Sequence, residues 1–220
     1  EIFANSDLII LSPGISLENP NLQKAISKKV PIISEIELAF QFVNCPVIGI
    51  TGTNGKTTTV SFIREILDKT ELKVFTGGNI GIPFCDAITS NIEWDLVLLE
   101  LSSFQLETIV NFRPHIAMIL NISHNHGERY NSLLDYTKAK FNIIKNMKDN
   151  DYFFYPRSDS SFESLVKESK GTPQLTAVDY SNLEEIKTTL SKTYNLDQFK
   201  LIGDHNLLNL YSVHLILEKL

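Results

Sequence analysis

Residues 47–59 read Val47-Ile48-Gly49-Ile50-Thr51-Gly52-Thr53-Asn54-Gly55-Lys56-Thr57-Thr58-Thr59, a hydrophobic strand followed by a glycine-rich turn and the start of a helix. The two turn glycines let the backbone fold tightly, so that its N–H groups and the helix N-terminus attract phosphate oxygens. Lys56 adds a positive charge that reaches the β- and γ-phosphates, and Thr57 supplies a hydroxyl for magnesium. The stretch therefore predicts a phosphate-binding loop for a magnesium nucleotide.

One glycine of this loop is out of register with the usual G-x-x-x-x-G-K-[ST] pattern. Counting back from Lys56 places the first glycine at residue 50, but the sequence has Ile50 there and the glycine one residue earlier, at Gly49. The alternative interpretation is an ordinary turn, rich in glycine and threonine, between a strand and a helix. Gly-Lys-Thr soon after a buried strand favours the phosphate loop.

The composition is that of an ordinary globular protein. The 220 residues are 43% hydrophobic and 10% aromatic, and the net charge is -6, with lysines scattered along the chain. This balance argues against binding to nucleic acid or to an anionic membrane. Cys45 and Cys85 lack the C-x-x-C spacing and are typical of a reducing cytosol. With no signal peptide and no long apolar segment, the chain is predicted to be cytoplasmic.

From residue 47 onward, hydrophobic runs and turn signals alternate between strand and helix. The predicted strands are 47–51, 72–76, 95–101 and 115–121, and the predicted helices between them are 57–69, 83–89 and 104–109. The apolar runs 97–99 and 116–120 are continuous, as expected for central strands that are covered on both faces. We therefore predict an α/β fold with a doubly wound, mostly parallel sheet. Ligands should collect at the carboxyl ends of its strands.

The two ends of the chain carry further elements. Before the loop we predict strands 7–11 and 30–34 and helices 19–29 and 34–42, the second helix starting with a capping box of Ser34 and Glu37. After residue 121 we predict a helix 132–147, a strand 151–155, a helix 162–169 and an edge strand 174–180, with the segment 199–202 and a helix 206–220 closing the chain. Residues 182–198 are polar and are left unassigned. The break at residues 44–46 predicts a domain boundary.

Three side chains at or near the predicted strand ends could carry chemistry. Glu100 ends a buried strand beside the loop, where a carboxylate can hold magnesium, although a glutamate at a strand end can also simply reach solvent. His126, with His124 close by, follows another strand and could bind a metal, but histidines in loops are more often surface residues. Lys140 lies on the following helix, and composition alone does not separate it from Lys138.

Several motifs resemble the Mur ligases and their relative folylpolyglutamate synthetase. Residues 51–58 are similar to the ATP loop of these enzymes, including the displaced first glycine. Gly78-Asn79-Ile80-Gly81, and especially Glu100-Leu101-Ser102-Ser103-Phe104-Gln105-Leu106-Glu107, resemble the branch that joins D-glutamate to UDP-N-acetylmuramoyl-L-alanine. Ser12-Pro13-Gly14-Ile15 resembles the first domain of that branch near its UDP site. Segments 121–130, 136–141 and 203–206 follow in the family's order, so the resemblance covers almost the whole chain.

The resemblance implies a role for each matching residue. ATP would be held by the loop residues Gly52, Thr53, Asn54, Gly55, Lys56, Thr57 and Thr58, with Asn206 at the adenine. Two magnesium ions would be held by Thr57, Glu100, His126 and Lys140, and Lys140 would be carbamylated. Lys56, His126 and Lys140 would be the catalytic residues. Ser12, Pro13, Gly14, Asn79 and Ser102 would face the UDP-N-acetylmuramoyl-L-alanine substrate.

The resemblance also implies a reaction in peptidoglycan synthesis. ATP would phosphorylate the carboxylate of UDP-N-acetylmuramoyl-L-alanine, and the amine of D-glutamate would attack the acyl phosphate. Two metals suit this chemistry, because a carboxylate and a triphosphate repel each other until cations bridge them. The protein is expected to act as a monomer.

Two features depart from the family pattern. Asn125 precedes His126 where the family usually has Asp, which removes a charge that could orient the histidine. The family has three domains, whereas this chain is expected to hold the end of a Rossmann-like first domain (residues 1–44) and the central ATP-binding domain (residues 45–220). Without the amino-acid-binding third domain, the chain is expected not to complete catalysis alone. Folylpolyglutamate synthetase or another amide ligase of the superfamily, and a nucleotide-binding fragment without catalysis, stay open as alternatives.

Overall fold

A computed structural model describes residues 2–12, 15–123, 129–157, 161–196 and 203–220 of the chain. Eight strands lie in this part: β1 (Ile9–Leu11), β2 (Ile32–Ser34), β3 (Val47–Thr51), β4 (Val74–Gly78), β5 (Leu96–Glu100), β6 (Ile116–Ile119), β7 (Tyr152–Pro156) and β8 (Gln174–Val178). The last six form one sheet in the order β4-β5-β3-β6-β7-β8, and all its neighbouring strands are parallel. The predicted doubly wound parallel sheet is confirmed.

Helices connect these strands and cover both faces of the sheet. The α-helices in the described residues are α1 (Gln23–Ser27), α2 (Glu35–Phe40), α3 (Lys56–Leu67), α4 (Asp86–Thr89), α5 (Ser103–Glu107), α6 (Leu133–Phe141), α7 (Ser161–Glu168), α8 (Leu183–Ser191) and α9 (Asp204–Leu217). Short 3-10 helices lie at Phe3–Asn5, Pro20–Leu22 and Asn142–Ile144. None of the described helices is long and apolar enough to cross a membrane.

Each face of the large sheet has its own hydrophobic core. The strands β3, β5 and β6 are buried along their whole length. Because side chains alternate along a strand, Val47 of β3 packs into one core and Ile48 into the other. The first core also contains side chains of α2 and α5, and the second contains side chains of α3 and α9. The carboxyl end of β3 therefore emerges in the middle of the sheet, with helices on both sides.

Helix α2 packs against the large sheet, although it follows the separate two-stranded sheet of β1 and β2. Ile36 and Ala39 are fully buried in the same core as Val47. As predicted, the Ser34 side chain caps the helix by accepting the N–H of Glu37. The second half of the predicted capping box is wrong. The fully buried Glu37 carboxylate instead accepts the N–H groups of Val110, Asn111 and Phe112, at 2.8–2.9 Å.

The structure also corrects the bounds of several predicted elements. The helix predicted over 132–147 ends at Phe141 and continues only as a short 3-10 turn. The unassigned residues 182–198 contain α8, which the Asn182 side chain caps by accepting the N–H of Glu185. Its buried residues Ile186 and Leu190 have the four-residue spacing of one helix face. Segment 199–202 lies outside the described residues.

Candidate active site

The predicted phosphate loop is the turn between β3 and α3, at the carboxyl edge of the sheet. Gly52 (φ +148°) and Gly55 (φ +84°) adopt backbone conformations that favour glycine. A Cβ on Gly55 would lie 2.5 Å from Asn209 Oδ1 on α9, which is too close for a side chain. Because α3 begins directly at Lys56, the free N–H groups of its first turn adjoin the loop. This arrangement is suited to binding phosphate.

The displaced glycine of the loop pattern, Gly49, has a packing role. It lies inside β3 and pairs with Leu99 and Ala117 of the neighbouring strands. A Cβ at this position would be 3.0 Å from Leu101 Cδ1 and 3.2 Å from Ile143 Cδ1. Glycine is therefore needed at residue 49 because the two buried side chains leave no space for a larger residue. The phosphate turn itself uses Gly52 and Gly55.

Asn121, just after β6, holds the loop in place. Its Oδ1 accepts the N–H of Asn54 at 2.9 Å, and its Nδ2 donates to the Asn54 carbonyl at 3.0 Å. Its own carbonyl accepts the N–H of Thr53 at 3.0 Å. Thr53 is fixed further by its hydroxyl, which accepts the N–H of Ser123. The sequence analysis put Asn121 at the end of a predicted strand but predicted no role for it, because an asparagine that supports a loop belongs to no sequence motif.

Lys56 lies against the loop backbone. Its Nζ donates to the carbonyls of Gly52 (2.9 Å) and Thr53 (2.8 Å). Partial burial lowers the pKa of Lys56, and the nearby Glu100 carboxylate opposes that shift. The ammonium group is thus held within the turn, where it can face a phosphate. The next two loop residues lie on the first turn of α3, with Thr57 exposed and Thr58 partly buried.

Glu100 ends β5 beside the loop, and its side chain is 2% exposed. Thr57 Oγ1 donates to Glu100 Oε2 at 2.8 Å, and Asn79 Nδ2 donates to Glu100 Oε1 at 2.9 Å. The alternative of a glutamate that reaches into solvent does not describe this side chain. A hydroxyl and a carboxylate in contact are the kind of oxygen ligands that Mg²⁺ prefers.

Lys140 lies on α6, 2% exposed, and points toward the same strand ends. Its Nζ donates to Thr51 Oγ1 at 3.3 Å and lies 4.7 Å from the centre of the Tyr136 ring. Burial, reinforced by the positive charge of Lys56, lowers the pKa of Lys140 from 10.5 to about 7, while Glu100 acts in the opposite direction. The structure therefore separates Lys140 from the exposed Lys138, which composition alone did not.

Of the predicted substrate residues, the structure describes Ser12, Asn79 and Ser102. Ser102 caps α5 by accepting the N–H of Gln105, while Gln105 Oε1 accepts the N–H of Ser102. The buried Nε2 of Gln105 has no hydrogen-bond partner in the described part of the chain. Asn79 is exposed, and Ser12 is exposed directly after β1. The structure brings Asn79 to Glu100, whereas among the described residues the Ser12 carbonyl accepts the N–H of Ile15, which is not part of the loop.

A cavity of about 290 Å³ adjoins the loop on the side of α9. Its lining includes Asn54, Gly55, Tyr180, His205 and Asn209. Burial raises the pKa of Tyr180 to about 12, and its hydroxyl lies 2.8 Å from Ser212 Oγ, so the phenol stays neutral at pH 7. Asn206 is partly buried on the first turn of α9 and accepts a hydrogen bond from Asn209 Nδ2 at 3.5 Å. Sequence analysis missed Asn209.

Three of the predicted site residues, Pro13, Gly14 and His126, lie outside the described residues, as do His124 and Asn125. Within the described ranges, no cluster of three or more His, Cys, Asp or Glu side chains could hold a metal ion. A described pair of oxygen ligands suited to a metal is the Glu100 carboxylate with the Thr57 hydroxyl.

The parallel sheet, the glycine turn and the lysine at the start of α3 define a P-loop nucleotide-binding protein of the α/β class. Comparison with known protein families gives the particular family. The Mur ligase middle domain matches residues 50–217, and the chain belongs to the Mur ligase family.

Two curated relatives share one name. The UDP-N-acetylmuramoylalanine--D-glutamate ligase of Geotalea uraniireducens is 45% identical over 150 residues, which cover 68% of this chain and 33% of the relative. The protein of the same name from Citrifermentans bemidjiense is 36% identical over 222 residues, covering 94% of this chain and 48% of the relative. The chain therefore spans about a third to a half of the length of these relatives.

Solved structures of Mur ligases share the fold. The UDP-N-acetylmuramate:L-alanyl-gamma-D-glutamyl-meso-diaminopimelate ligase of Neisseria meningitides has a TM-score of 0.63 at 15% identity, and the match covers 97% of this chain and 74% of that chain. MurF from Acinetobacter baumannii has a TM-score of 0.58 at 18% identity, covering 84% of this chain and 44% of that chain. At such identities the likeness concerns the fold.

Proposed function

We propose that this chain is the ATP-binding part of a ligase that adds D-glutamate to UDP-N-acetylmuramoyl-L-alanine in peptidoglycan synthesis. The observation that carries the proposal is the 36–45% identity to relatives with that name, over 68–94% of the chain. The geometry at the strand ends is consistent with it, because the loop, Glu100 and Lys140 converge on one place.

ATP fits the loop and its adjoining cavity. The loop N–H groups and the Lys56 ammonium would bind the phosphates, since both present hydrogen-bond donors to the same turn. The cavity of about 290 Å³ beside Gly55 would take the nucleoside, with Asn206 and Asn209 supplying side-chain amides for the base.

Magnesium fits the pair of Thr57 and Glu100, which are hydrogen-bonded at 2.8 Å. When bound, the metal would bring the negative charges of substrate and nucleotide together and stabilise the charge that develops during phosphoryl transfer. A second magnesium is proposed at Lys140 and His126, of which the structure describes only Lys140.

Lys140 is proposed to be carbamylated. CO₂ reacts with a neutral amine, and the pKa of about 7 leaves a large neutral fraction of this buried lysine at neutral pH. In that step the amine nitrogen bonds to the carbon of CO₂ and releases a proton, so that a buried cation becomes an anion suited to a metal. The test is carbon NMR with ¹³C-bicarbonate: wild type should show a carbamate signal that Lys140→Met lacks, and equal spectra would refute the modification.

The proposed reaction is the one that the family resemblance implies. The loop and Lys56 would hold the γ-phosphate of ATP while the substrate carboxylate attacks it and ADP leaves. The amine of D-glutamate would then attack the resulting acyl phosphate and displace phosphate, forming the amide. Asn79 and Ser102 are proposed to face the muramoyl substrate, and Ser12, Pro13 and Gly14 its UDP part.

The decisive experiment measures ADP binding and ADP release together. ADP binding tests the site that this chain contains. Release of ADP from Mg-ATP that depends on both UDP-N-acetylmuramoyl-L-alanine and D-glutamate tests the activity. Release that depends on another acceptor, such as a folate, would replace the proposed substrate, and binding without release from the complete protein would indicate a non-catalytic nucleotide-binding unit.

The proposal also covers the domain bounds, the oligomeric state and the location of the protein. We propose residues 1–44 as the end of the UDP-substrate domain and residues 45–220 as the central ATP-binding domain. We further propose a cytoplasmic monomer, which light scattering at assay concentration would test. The two cysteines of the chain, Cys45 and Cys85, are free thiols, as a reducing compartment would keep them.

A further inference from the structure

The side chain of Asn79 contacts the carboxylate that is proposed to hold magnesium. We infer that Asn79 is a positioning residue for Glu100, a role distinct from the substrate contact that the family resemblance implies. The inference rests on the proposed function, because it requires a cation at Glu100.

Within the described residues, each oxygen of the Glu100 carboxylate accepts one side-chain hydrogen bond. Asn79 Nδ2 donates to Oε1 at 2.9 Å, and Thr57 Oγ1 donates to Oε2 at 2.8 Å. Asn79 also donates its backbone N–H to the Glu100 carbonyl at 2.8 Å. The same asparagine therefore fixes both the main chain and the side chain of Glu100. The Asn79 bond to Oε1 leaves Oε2 on the side of Thr57, next to the phosphate loop.

The backbone before Asn79 is shaped for this approach. Gly78 pairs with Glu100 in the sheet and has φ +105°. A Cβ on Gly78 would lie 2.3 Å from the Glu100 carbonyl oxygen, and a Cβ on Gly77 would lie 2.2 Å from the Ile82 carbonyl oxygen. Neither position has room for a Cβ. Glycine at both positions therefore lets the backbone of the Gly77-Gly78-Asn79 turn pack closely against β5 and against Ile82.

Fixing the carboxylate before the cation arrives should strengthen metal binding. Residues that hydrogen-bond a metal-ligating carboxylate orient it, and their loss typically weakens metal affinity 10–100-fold. Asn79 is exposed, and its backbone hydrogen bond does not depend on its side chain. Asn79→Ala therefore removes the orienting amide and leaves the turn in place.

The test compares ADP affinity of the full chain by calorimetry in EDTA and in Mn²⁺. For wild type, Mn²⁺ should tighten ADP binding. In Asn79→Ala this metal-dependent gain should fall about tenfold, while affinity in EDTA stays unchanged because the loop and Lys56 are intact. The matched control is Asn111→Ala, an exposed asparagine whose backbone N–H bonds to Glu37 and not to Glu100; it should behave as wild type.

A double-mutant cycle assigns the effect to Glu100. Glu100→Ala should remove most of the metal-dependent gain, and adding Asn79→Ala to it should change nothing further. The inference is overturned if Asn79→Ala keeps the full gain, if it weakens ADP equally in EDTA, or if its effect persists without Glu100. A wild-type chain that binds no ADP would refute the proposed function itself, and one that binds ADP with no gain from Mn²⁺ would remove the cation on which the inference depends.

Discussion

Replacing the buried amine of Lys140 should stabilise the folded chain. In the native state the pKa of Lys140 is about 7, against 10.5 for a lysine in water. Between these values the unfolded chain holds a proton that the folded chain does not, so wild-type stability rises with pH across this window. At about 1.4 kcal/mol per pKa unit, the unfavourable contribution of Lys140 is about 4 kcal/mol at pH 7 and about 2 kcal/mol at pH 9.

Lys140→Met keeps the length of the side chain and removes its charge. Loss of the hydrogen bond to Thr51 Oγ1 offsets part of the gain, by about 1 kcal/mol. We therefore expect Lys140→Met to be more stable than wild type by about 3 kcal/mol at pH 7 and about 1 kcal/mol at pH 9. In the complete ligase, the same substitution should abolish the proposed activity, because the proposed carbamate cannot form.

Urea unfolding in carbonate-free buffer at the two pH values measures this difference. Carbonate must be excluded, because carbamylation of the native amine would itself stabilise wild type. Lys138→Met, on the exposed side of the same helix, is the control and should change stability by less than about 0.5 kcal/mol at either pH. The reasoning is refuted if Lys140→Met is less stable than wild type at pH 7, or if its advantage is the same at both pH values.

Three further predictions concern the loop and the base of the sheet. Gly55→Ala should abolish ADP binding and destabilise the chain by about 1–3 kcal/mol, since φ is +84° and its Cβ would meet Asn209; calorimetry and urea unfolding check both effects, and unchanged ADP affinity would contradict the loop geometry. Asn121→Ala removes two hydrogen bonds to Asn54 and should weaken ADP about tenfold, with an unchanged calorimetric affinity as the contrary result. His115 Nδ1 accepts the N–H of Val47, and burial lowers the pKa of His115 below 6.5. The unfolded chain therefore binds the proton first as the pH drops, and the free energy of unfolding should fall below about pH 6.5. His115→Gln should flatten that decline in urea unfolding, and an unaltered slope would exclude His115 as its source.

The sequence was sufficient for features that local pattern decides. Continuous apolar runs identified the central strands, and Gly-Lys-Thr after a strand identified the loop. It failed where the partner is distant in the chain. The Glu37 carboxylate follows a local capping pattern, yet its three donors lie 73–75 residues away.

The parts of the site that the sequence did not predict also depend on contacts between residues that are distant in the chain. Asn121 and Asn209 contact the loop through tertiary packing, and an isolated amide gives no periodic or spacing signal. Lys140 differs from Lys138 only in burial, which depends on how α6 lies against the sheet. The sequence predicted correctly that Glu100 lies beside the loop. Its hydrogen bond to Asn79 could not be predicted, because it depends on the register of β4 against β5.

The anchoring of α2 determines where the chain can be cut for recombinant work. An expression variant starting at residue 45 would delete Ile36 and Ala39 from the core and leave the N–H groups of residues 110–112 without the Glu37 carboxylate. The N–H of Phe112 is buried, and losing its acceptor would cost about 1–3 kcal/mol. Exposure of the core to water adds to this cost, which is large for a domain of ordinary stability. A variant starting just before Ser34 would retain the helix, its cap and these bonds, and it is the shorter unit that we expect to fold.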